Sequence, residues 1–447
     1  MAAYAKLIPA QLRAEYETVS TAFAAAKARN FQLDMSRGKP GKAQLDLVSD
    51  ILTVLSDPSD CVEGDIDVRN YGDLMGIPSC RRLFAELLGT RPDEIFVGGS
   101  ASMKLMYDVL SRAYLHGLLH SPKPWAQERK IKFLCPSPGY DNHFRMVESL
   151  GAELITIRMT ETGPDMAAVE EAVADLAVKG IWCVPKYSNP QGIIYSHQTI
   201  ARLAALRPAA PDFTIMWDNA YFIHEFDGEF VPIPDMLTVC REAGNPDMVF
   251  EFASTSKVTL PGAGVAVFAT SEANIAYMKR LLSAEIISYD KVNMLRHVRY
   301  LKDKQHALRL MKQHGAIMKP KFDAVCDTLD REIRHLGIGH WRRPKGGYFI
   351  SYDAMPGTAT RTLALCKDAG VLMTHAGATF PYGVDPDDSN IRIAPSLPSD
   401  AELRAAIDVF CICVRLAALE KLIESAGRAV ARKASSEPGP VAGSPAD

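Results

Sequence analysis

The 447-residue sequence has few of the features that mark membrane, secreted or nucleic-acid-binding proteins. It contains no run of about 18 or more apolar residues, so we expect no transmembrane helix. Its 50 basic and 53 acidic residues give a net charge of −3, which leaves no basic excess for nucleic acid or an anionic membrane. The N-terminus, Met1 to Pro9, lacks the basic and apolar regions of a secretory signal.

Cysteine is scattered along the chain. The nine cysteines are an odd number and include no CxxC motif, which argues against a disulfide framework and against a structural zinc site. We therefore expect reduced thiols, no bound metal and a cytoplasmic location.

The composition is that of a globular protein, 47% hydrophobic and 23% charged. Apolar runs alternate with helical patterns through the middle of the chain, which predicts βαβ units in a mainly parallel sheet. The predicted strands are 95–97, 131–135, 152–157, 181–184, 213–217, 248–252 and 265–269, and the predicted helices between them include 102–119, 165–178 and 197–206. Such a sheet binds ligands beyond the carboxyl ends of its strands.

The two ends of the chain have a different pattern. A long amphipathic helix is predicted near the N-terminus, and two short strands and two helices follow Pro320. We expect a large α/β domain over 46–315 and a smaller α+β domain built from 1–45 and 316–430. The remaining residues, 431–447, are rich in Pro, Ser, Gly and Ala and predict a disordered tail.

Polar residues follow four of the predicted strands directly. They are GGSAS at 98–102, SNPQG at 188–192, the acid Asp218, and STSK ending at Lys257. Taken singly, each is more often a turn, a helix cap or a solvated lysine than part of a site. Together they place three features at one edge of the sheet: small residues that could bind an anion, a carboxylate, and a lysine. A lysine buried there would have a lowered pKa, and the neutral amine attacks carbonyls.

These segments resemble the class I aminotransferases, pyridoxal-phosphate enzymes of fold type I. The resemblance rests on SRGKPG from Ser36, SNPQG, DNAYF from Asp218, STSK and IRIAPS, and it runs from about residue 30 to residue 425. The segments SRGKPGKAQLDL, GYDNHF, DKVNMLRHVRYL and GATFPYG are similar to a bacterial subgroup of aspartate aminotransferases.

The resemblance implies a role for each matching residue. Lys257 would carry pyridoxal 5'-phosphate as a Schiff base and shuttle the substrate proton, and Asp218 would pair with the ring nitrogen. Tyr221 and Asn189 would bond the ring oxygen, and Tyr140 would stack on the ring. The phosphate would be bound by Ser100, Ala101, Ser102, Ser254 and Ser256.

The resemblance also implies how substrate and subunits are arranged. Arg392 would clamp the substrate α-carboxylate, Asn189 would contact the substrate, and Gly38 would leave room for it. Tyr71 resembles the tyrosine that reaches the phosphate of the neighbouring subunit, which implies a homodimer with shared active sites.

The sequence departs from the family pattern at two positions. Gly264 stands where most members have a phosphate-binding arginine, and Lys291 and Arg296 are candidate replacements. Asn142 stands where the subgroup often has an arginine for a second substrate carboxylate. The cations that could replace that arginine are Arg37, Lys39, Arg145 and Arg296.

The implied reaction moves an amino group between an L-amino acid, aspartate or a related one, and 2-oxoglutarate. Alternatives are an aminotransferase for neutral or aromatic amino acids and a lyase on the same scaffold. A transcriptional regulator would need a DNA-binding module, for which we see no room, and a pure binding protein would not need both Asp218 and Lys257. Among eleven histidines, His143, His224 and His375 remain open as acid–base groups, each more often structural than catalytic.

Overall fold

A computed structural model describes residues 3–436 of the chain. An eight-stranded sheet dominates it, with strand order β4-β11-β10-β9-β8-β5-β6-β7. The strands of the chain are β1 (Leu33–Asp34), β2 (Val62–Glu63), β3 (Ile66–Asp67), β4 (Ile95–Val97), β5 (Lys132–Ser137), β6 (Glu153–Thr160), β7 (Gly163–Pro164), β8 (Val178–Cys183), β9 (Thr214–Asp218), β10 (Val249–Ser254), β11 (Ala266–Ala269), β12 (Gly339–Trp341), β13 (Ile350–Ala354), β14 (Val371–Leu372) and β15 (Asn390–Ile393).

The centre of this sheet is parallel. Strands β10, β9, β8, β5 and β6 pair in parallel, whereas β11 and β7 pair antiparallel to their neighbours. Alternate residues of β8 and β9 face two different hydrophobic cores. Ile181 and Trp217 pack in one core, and Trp182 and Met216 pack in the other. Burial on both faces is typical of parallel sheets covered by helices, and the predicted α/β class is confirmed.

Thirteen helices cover the sheets within the described residues. They are α1 (Pro9–Ala28), α2 (Lys42–Leu47), α3 (Pro78–Leu88), α4 (Ser102–His116), α5 (Asp141–Ser149), α6 (Met166–Ala172), α7 (His197–Ala204), α8 (Met236–Glu242), α9 (Glu272–Leu282), α10 (Lys291–Leu301), α11 (Lys304–Glu332), α12 (Ala359–Asp368) and α13 (Asp400–Ser436). Within residues 3–436, every helix is too short or too polar to span a membrane.

A second region is built from both ends of the described chain. Helix α1 packs on α13, and β12, β13 and β15 form an antiparallel sheet beside them. Helix α11 contributes Met311 to a core of the large sheet and Met318 to the core of this second region. The division into 46–315 and the two flanking segments stays a prediction.

Two predicted boundaries differ from the structure by six residues. The helix predicted over 165–178 ends at Ala172, because Val178 is fully buried and pairs with Lys132 in the sheet. Helix α13 continues to Ser436, so residues 431–436 of the predicted tail are helical. Residues 437–447 of that tail lie outside the described residues.

Candidate active site

A cavity of about 150 Å³ opens at the carboxyl ends of β9 and β10. The predicted site residues that line it are Gly38, Ala101, Ser102, Tyr140, Asn189, Asp218, Tyr221, Ser254, Ser256 and Lys257. Ser100 and Arg392 lie outside this lining. Tyr71 also lies outside it and is 76% exposed.

A larger cavity, of about 320 Å³, lies at the opposite edge of the sheet, where β9 and β10 begin. Its buried acid, Asp212, already binds Lys179, Ser121 and Trp125. None of the predicted site residues lines this cavity. The candidate site is therefore the smaller cavity.

Lys257 follows β10 in a loop that Thr255 holds in place. The backbone N–H of Val265 donates to Thr255 Oγ1 at 2.9 Å. The amine of Lys257 lies 5.1 Å from the centroid of the Tyr221 ring. Burial lowers the pKa of the Lys257 amine, and the negative charge of Asp218 opposes that shift. The lowered pKa increases the fraction of neutral amine, which is the nucleophilic form.

Asp218 ends β9 and is buried, with one carboxylate oxygen engaged and one free. Its Oδ2 lies 2.9 Å from Nε2 of His143, which stacks on Trp182 with ring centroids 4.1 Å apart. Its Oδ1 has no partner among the described residues. No sequence pattern distinguishes His143 from His224 and His375, because its partner Asp218 is 75 residues away along the chain.

The other side of the cavity is rich in hydroxyls. Ser254 Oγ donates to Ser256 Oγ at 3.0 Å, and Ser256 Oγ donates to the Ser100 carbonyl at 3.5 Å. Helix α4 begins at Ser102 beside them, so its free backbone N–H groups favour an anion there. These groups suit a phosphate.

Gly264 borders this anion side. A Cβ at Gly264 would lie 3.2 Å from the Ser100 carbonyl oxygen, tighter than most real contacts. Neither candidate replacement for the missing arginine lines the cavity, but Arg296 is linked to Gly264 through Asn293, which donates to the Gly264 carbonyl oxygen at 2.8 Å. Lys291 Nζ lies 2.9 Å from Asp73, and Arg296 donates to Asn293. Among the residues that line the cavity, the only cation is Lys257.

Arg392 lies on β15, next to the cavity, and is buried. Its Nη1 donates to Asp141 Oδ1 at 3.0 Å and to Asn189 Oδ1 at 3.3 Å. Its guanidinium lies 4.9 Å from the centroid of the Phe349 ring. A Cβ at Gly38 would come within 2.3 Å of that same ring, so any larger residue there would force the Phe349 ring to move. The contact with Asp141 was not predicted.

Asn142 contributes no charge to the cavity. Its Nδ2 donates to Tyr140 Oη at 2.8 Å. Arg145, one helical turn further along α5, lines an open groove beside Asn142. Arg37 and Lys39 are exposed.

A second buried acid, Glu251, pairs with Trp217 in the sheet and lies beside Asn219. Asn219 Nδ2 donates to Glu251 Oε1 at 2.8 Å, and both residues are buried. The remaining oxygens, Asn219 Oδ1 and Glu251 Oε2, have no donor among the described residues. Burial, with the charge of Asp235 next, raises the pKa of Glu251 from 4.5 to about 8. Glu251 is therefore protonated at neutral pH and can donate from Oε2, which a carboxylate cannot.

The substitution Glu251→Gln is expected to flatten the pH dependence of stability. Because the pKa of Glu251 is higher in the folded state, its contribution is full below about pH 4.5 and is lost as pH rises through about 8, at up to about 1.4 kcal/mol per pH unit. Glutamine stays neutral, so between about pH 4.5 and about pH 8 the variant becomes progressively more stable relative to the unaltered protein. Thermal unfolding midpoints across that range measure it, with the exposed Glu229→Gln as control. Parallel curves for Glu251→Gln and the unaltered protein would refute the assignment.

Comparison with known proteins gives consistent matches. The family model described as aspartate amino-transferase matches residues 7–426. An aspartate aminotransferase of Corynebacterium glutamicum is 42% identical over 405 residues, which cover 91% of this chain and 94% of the relative. The crystal structure of an aspartate transaminase from Corynebacterium glutamicum superposes with a TM-score of 0.92 at 41% identity, covering 94% of this chain and 99% of that chain.

A more distant structure shares the fold. It is an alpha-aminoadipate aminotransferase from Thermus thermophilus, complexed with N-(5'-phosphopyridoxyl)-L-leucine. Its TM-score is 0.69 at 20% identity, with 88% of this chain and 93% of that chain covered. At that identity the similarity shows the fold alone.

Proposed function

The chain belongs to the aspartate aminotransferase family, and from this premise we propose that it transfers the amino group of aspartate or a related L-amino acid to 2-oxoglutarate, with pyridoxal 5'-phosphate held by Lys257. The observation that carries the proposal is one cavity that contains both Lys257 and Asp218. Asp218 ends β9, and Lys257 lies three residues after the end of β10, the parallel neighbour of β9. A neutral amine opposite a buried carboxylate suits an aldehyde cofactor that has a basic ring nitrogen.

The residues present fit that cofactor. The free Oδ1 of Asp218 offers an acceptor to a protonated ring nitrogen. Tyr140 would cover the ring, and Asn189 and Tyr221 would bond its oxygen. The phosphate would be held by the hydroxyls and backbone of Ser100, Ala101, Ser102, Ser254 and Ser256. When bound, the cofactor supplies an electron sink for the negative charge that develops at the substrate α-carbon.

The chain's own residues supply the proton transfers. The lowered pKa of Lys257 lets its amine accept a proton from the substrate α-carbon and release it again. Burial raises the pKa of Tyr221 well above its usual value, so its hydroxyl keeps its proton and serves as a donor. His143 holds the carboxylate of Asp218 in place from the other side.

Arg392 would bind the substrate α-carboxylate. A guanidinium can form two parallel hydrogen bonds with a carboxylate. Asp141 bonds Nη1 of Arg392, whereas Nε of Arg392 has no partner among the described residues and can donate to a carboxylate. A held α-carboxylate favours transamination over decarboxylation.

The second carboxylate of an acidic substrate lacks an evident partner in the cavity. Asn142 carries no charge, and losing a charged contact would cost roughly 2–5 kcal/mol. Arg145, in the adjacent groove, is the nearest candidate on α5. Met103 and Phe349 give the cavity an apolar lining that suits neutral or aromatic amino acids, which are the alternative substrates.

We extend the proposal to a homodimer with shared sites. The exposure of Tyr71, 76%, leaves its ring free to reach the anion side of a second copy. The nine unpaired cysteines agree with a cytoplasmic location.

An absorbance titration tests the proposed function. The purified protein receives pyridoxal phosphate and then aspartate, glutamate, alanine or an aromatic amino acid separately. Conversion of the protein-bound cofactor to its amino form by aspartate and glutamate supports the proposal. Conversion by neutral amino acids only would show that Asn142 marks a different specificity. Absence of a protein-bound band would contradict the proposal.

A further inference from the structure

The polar side chains of α10 hold the loop that follows β10. This helix carries nearly all of the segment DKVNMLRHVRYL, and none of the roles proposed above uses its polar residues. Asn293 Nδ2 donates to the carbonyl oxygen of Gly264 at 2.8 Å and to that of Ala263 at 3.1 Å. His297 Nε2 lies 2.8 Å from Thr259 Oγ1. The helix therefore holds this loop at two separate points.

The direction of these hydrogen bonds is fixed by their partners. Carbonyl oxygens only accept, so Asn293 must turn its Nδ2 toward the loop and its Oδ1 away from it. That Oδ1 accepts from Nη2 of Arg296, which lies one helical turn further along α10. His297 donates from Nδ1 to the Asn293 carbonyl at 2.8 Å, so its Nε2 is left to accept from Thr259. Burial lowers the pKa of His297 to about 4, so the ring is neutral, as this arrangement requires.

Gly264 lies between this helix and the anion side of the cavity. Asn293 bonds its carbonyl oxygen, whereas a Cβ on its α-carbon would lie 3.2 Å from the Ser100 carbonyl oxygen and 3.4 Å from the backbone nitrogen of Ser256. Ser256 lines the cavity, and its hydroxyl donates to the same Ser100 carbonyl. The turn that contains Gly264 therefore packs directly against the groups assigned to the phosphate, and α10 holds it there.

Asn293 also sets the direction of a free backbone donor in this turn. The peptide bond between Ala263 and Gly264 is trans and planar, so its carbonyl and its N–H point in opposite directions. Because the carbonyl bonds Asn293, the Gly264 N–H points away from α10, and it has no acceptor among the described residues. The turn can therefore offer this N–H to a bound anion.

The position of such donors matters because the anion side has little positive charge. Lys257 is the only cation among the residues that line the cavity, and its amine is assigned to the aldehyde of the cofactor. A phosphate would therefore be bound mainly by hydroxyls and backbone N–H groups. Hydrogen bonds of this kind weaken steeply when the distance or the angle departs from its optimum, so the turn has to be held accurately.

We propose that Asn293 and Arg296 form a positioning clamp for the phosphate-binding turn, which takes over the part of the arginine that is missing at Gly264. Arg296 does not line the cavity. It holds the Asn293 amide, and the amide holds the turn. His297 secures the same loop at Thr259. The inference rests on the proposed function, in which a cofactor phosphate occupies the anion side.

Two probes, pyridoxal phosphate and pyridoxal, separate the phosphate contacts from the rest of the site. Each is titrated into the full-length chain and followed by absorbance, and the ratio of the two dissociation constants gives the preference for the phosphate. Asn293→Ala removes both bonds to the turn and is expected to lower this preference by about 10-fold, the effect of losing a buried hydrogen-bonding group. Arg296→Met leaves the Asn293 amide free to rotate and should lower the preference by roughly 3- to 10-fold.

Three further variants on α10 separate the clamp from the loss of a charge. Arg299→Met removes a cation from the last turn of the same helix, where the side chain is exposed, and should leave the preference unchanged. Arg296→Lys keeps a cationic donor for Asn293 and should retain much of the preference that Arg296→Met loses. Asn293→Asp presents only acceptors to the two carbonyl oxygens and should be at least as impaired as Asn293→Ala.

The outcomes are distinct. A lower preference in Asn293→Ala and in Arg296→Met, largely retained in Arg296→Lys and unchanged in Arg299→Met, supports the clamp. An unchanged preference in Asn293→Ala, or in Arg296→Met should the former fail to fold, would overturn it, even if both probes bind more weakly. An equal loss in Arg299→Met would overturn it too, because the charge of α10 alone would then explain the effect. If the unaltered protein binds neither probe, the proposed function fails and the clamp with it.

Discussion

Replacement of Lys257 by alanine is expected to lower the rate of transamination by at least about 10²–10⁴-fold, the contribution of a positioned proton-transfer group. The variant loses both the amine that would hold the cofactor and the base that would move the substrate proton. Its steady-state rate with aspartate or glutamate, measured beside that of the unaltered protein, gives the result.

Two controls make the Lys257 result specific. Lys257→Arg keeps a positive charge but cannot act as a base, because a guanidinium stays protonated, so it should be as impaired as the alanine variant. Lys186→Met removes another buried lysine, which pairs with Glu225, and should lower stability more than turnover. Substantial activity in Lys257→Ala would show that another residue carries the chemistry.

Asp218→Asn is expected to reduce kcat/KM by roughly 10²–10³-fold, the effect of removing one preorganised electrostatic group. Asparagine is close in shape, so the cavity should keep its form. It carries no charge, however, and cannot hold a positive partner at the site of the free Oδ1. The measurement is kcat/KM together with the amount of cofactor bound.

The matched control for Asp218 is Asp212→Asn at the opposite edge of the sheet. Asp212 is as buried as Asp218, but it binds Lys179 and lines the other cavity. This variant should unfold at a lower temperature while its kcat/KM stays within a few-fold of normal. Equal losses of kcat/KM in the two variants would mean that Asp218 acts through stability alone.

Much of the fold was predictable because its signals are local. The strand predicted at 95–97 has the bounds of β4, and the one predicted at 248–252 overlaps β10. The helix over 165–178 was predicted too long because its Ala-rich pattern continues past Ala172. Its end is set by the pairing of Val178 with Lys132, which is a tertiary contact that no local pattern reports.

The site also has features that the sequence predicts and contacts that it does not. Lys257 and Asp218 could be placed together because both follow strands whose carboxyl ends share one edge of the sheet. Two contacts could not be predicted because their partners are far apart along the chain. The contact of Asp218 with His143 joins residues 75 positions apart, and that of Arg392 with Asp141 joins residues 251 positions apart.

The proposed function requires that Lys257 carry the cofactor. The most direct measurement is borohydride reduction of the protein loaded with pyridoxal phosphate, followed by proteolysis and mass spectrometry of the labelled peptide. A single pyridoxyl label is expected, on the peptide that contains Ser254, Ser256 and Lys257. A label on a different lysine, or no label at all, would contradict it.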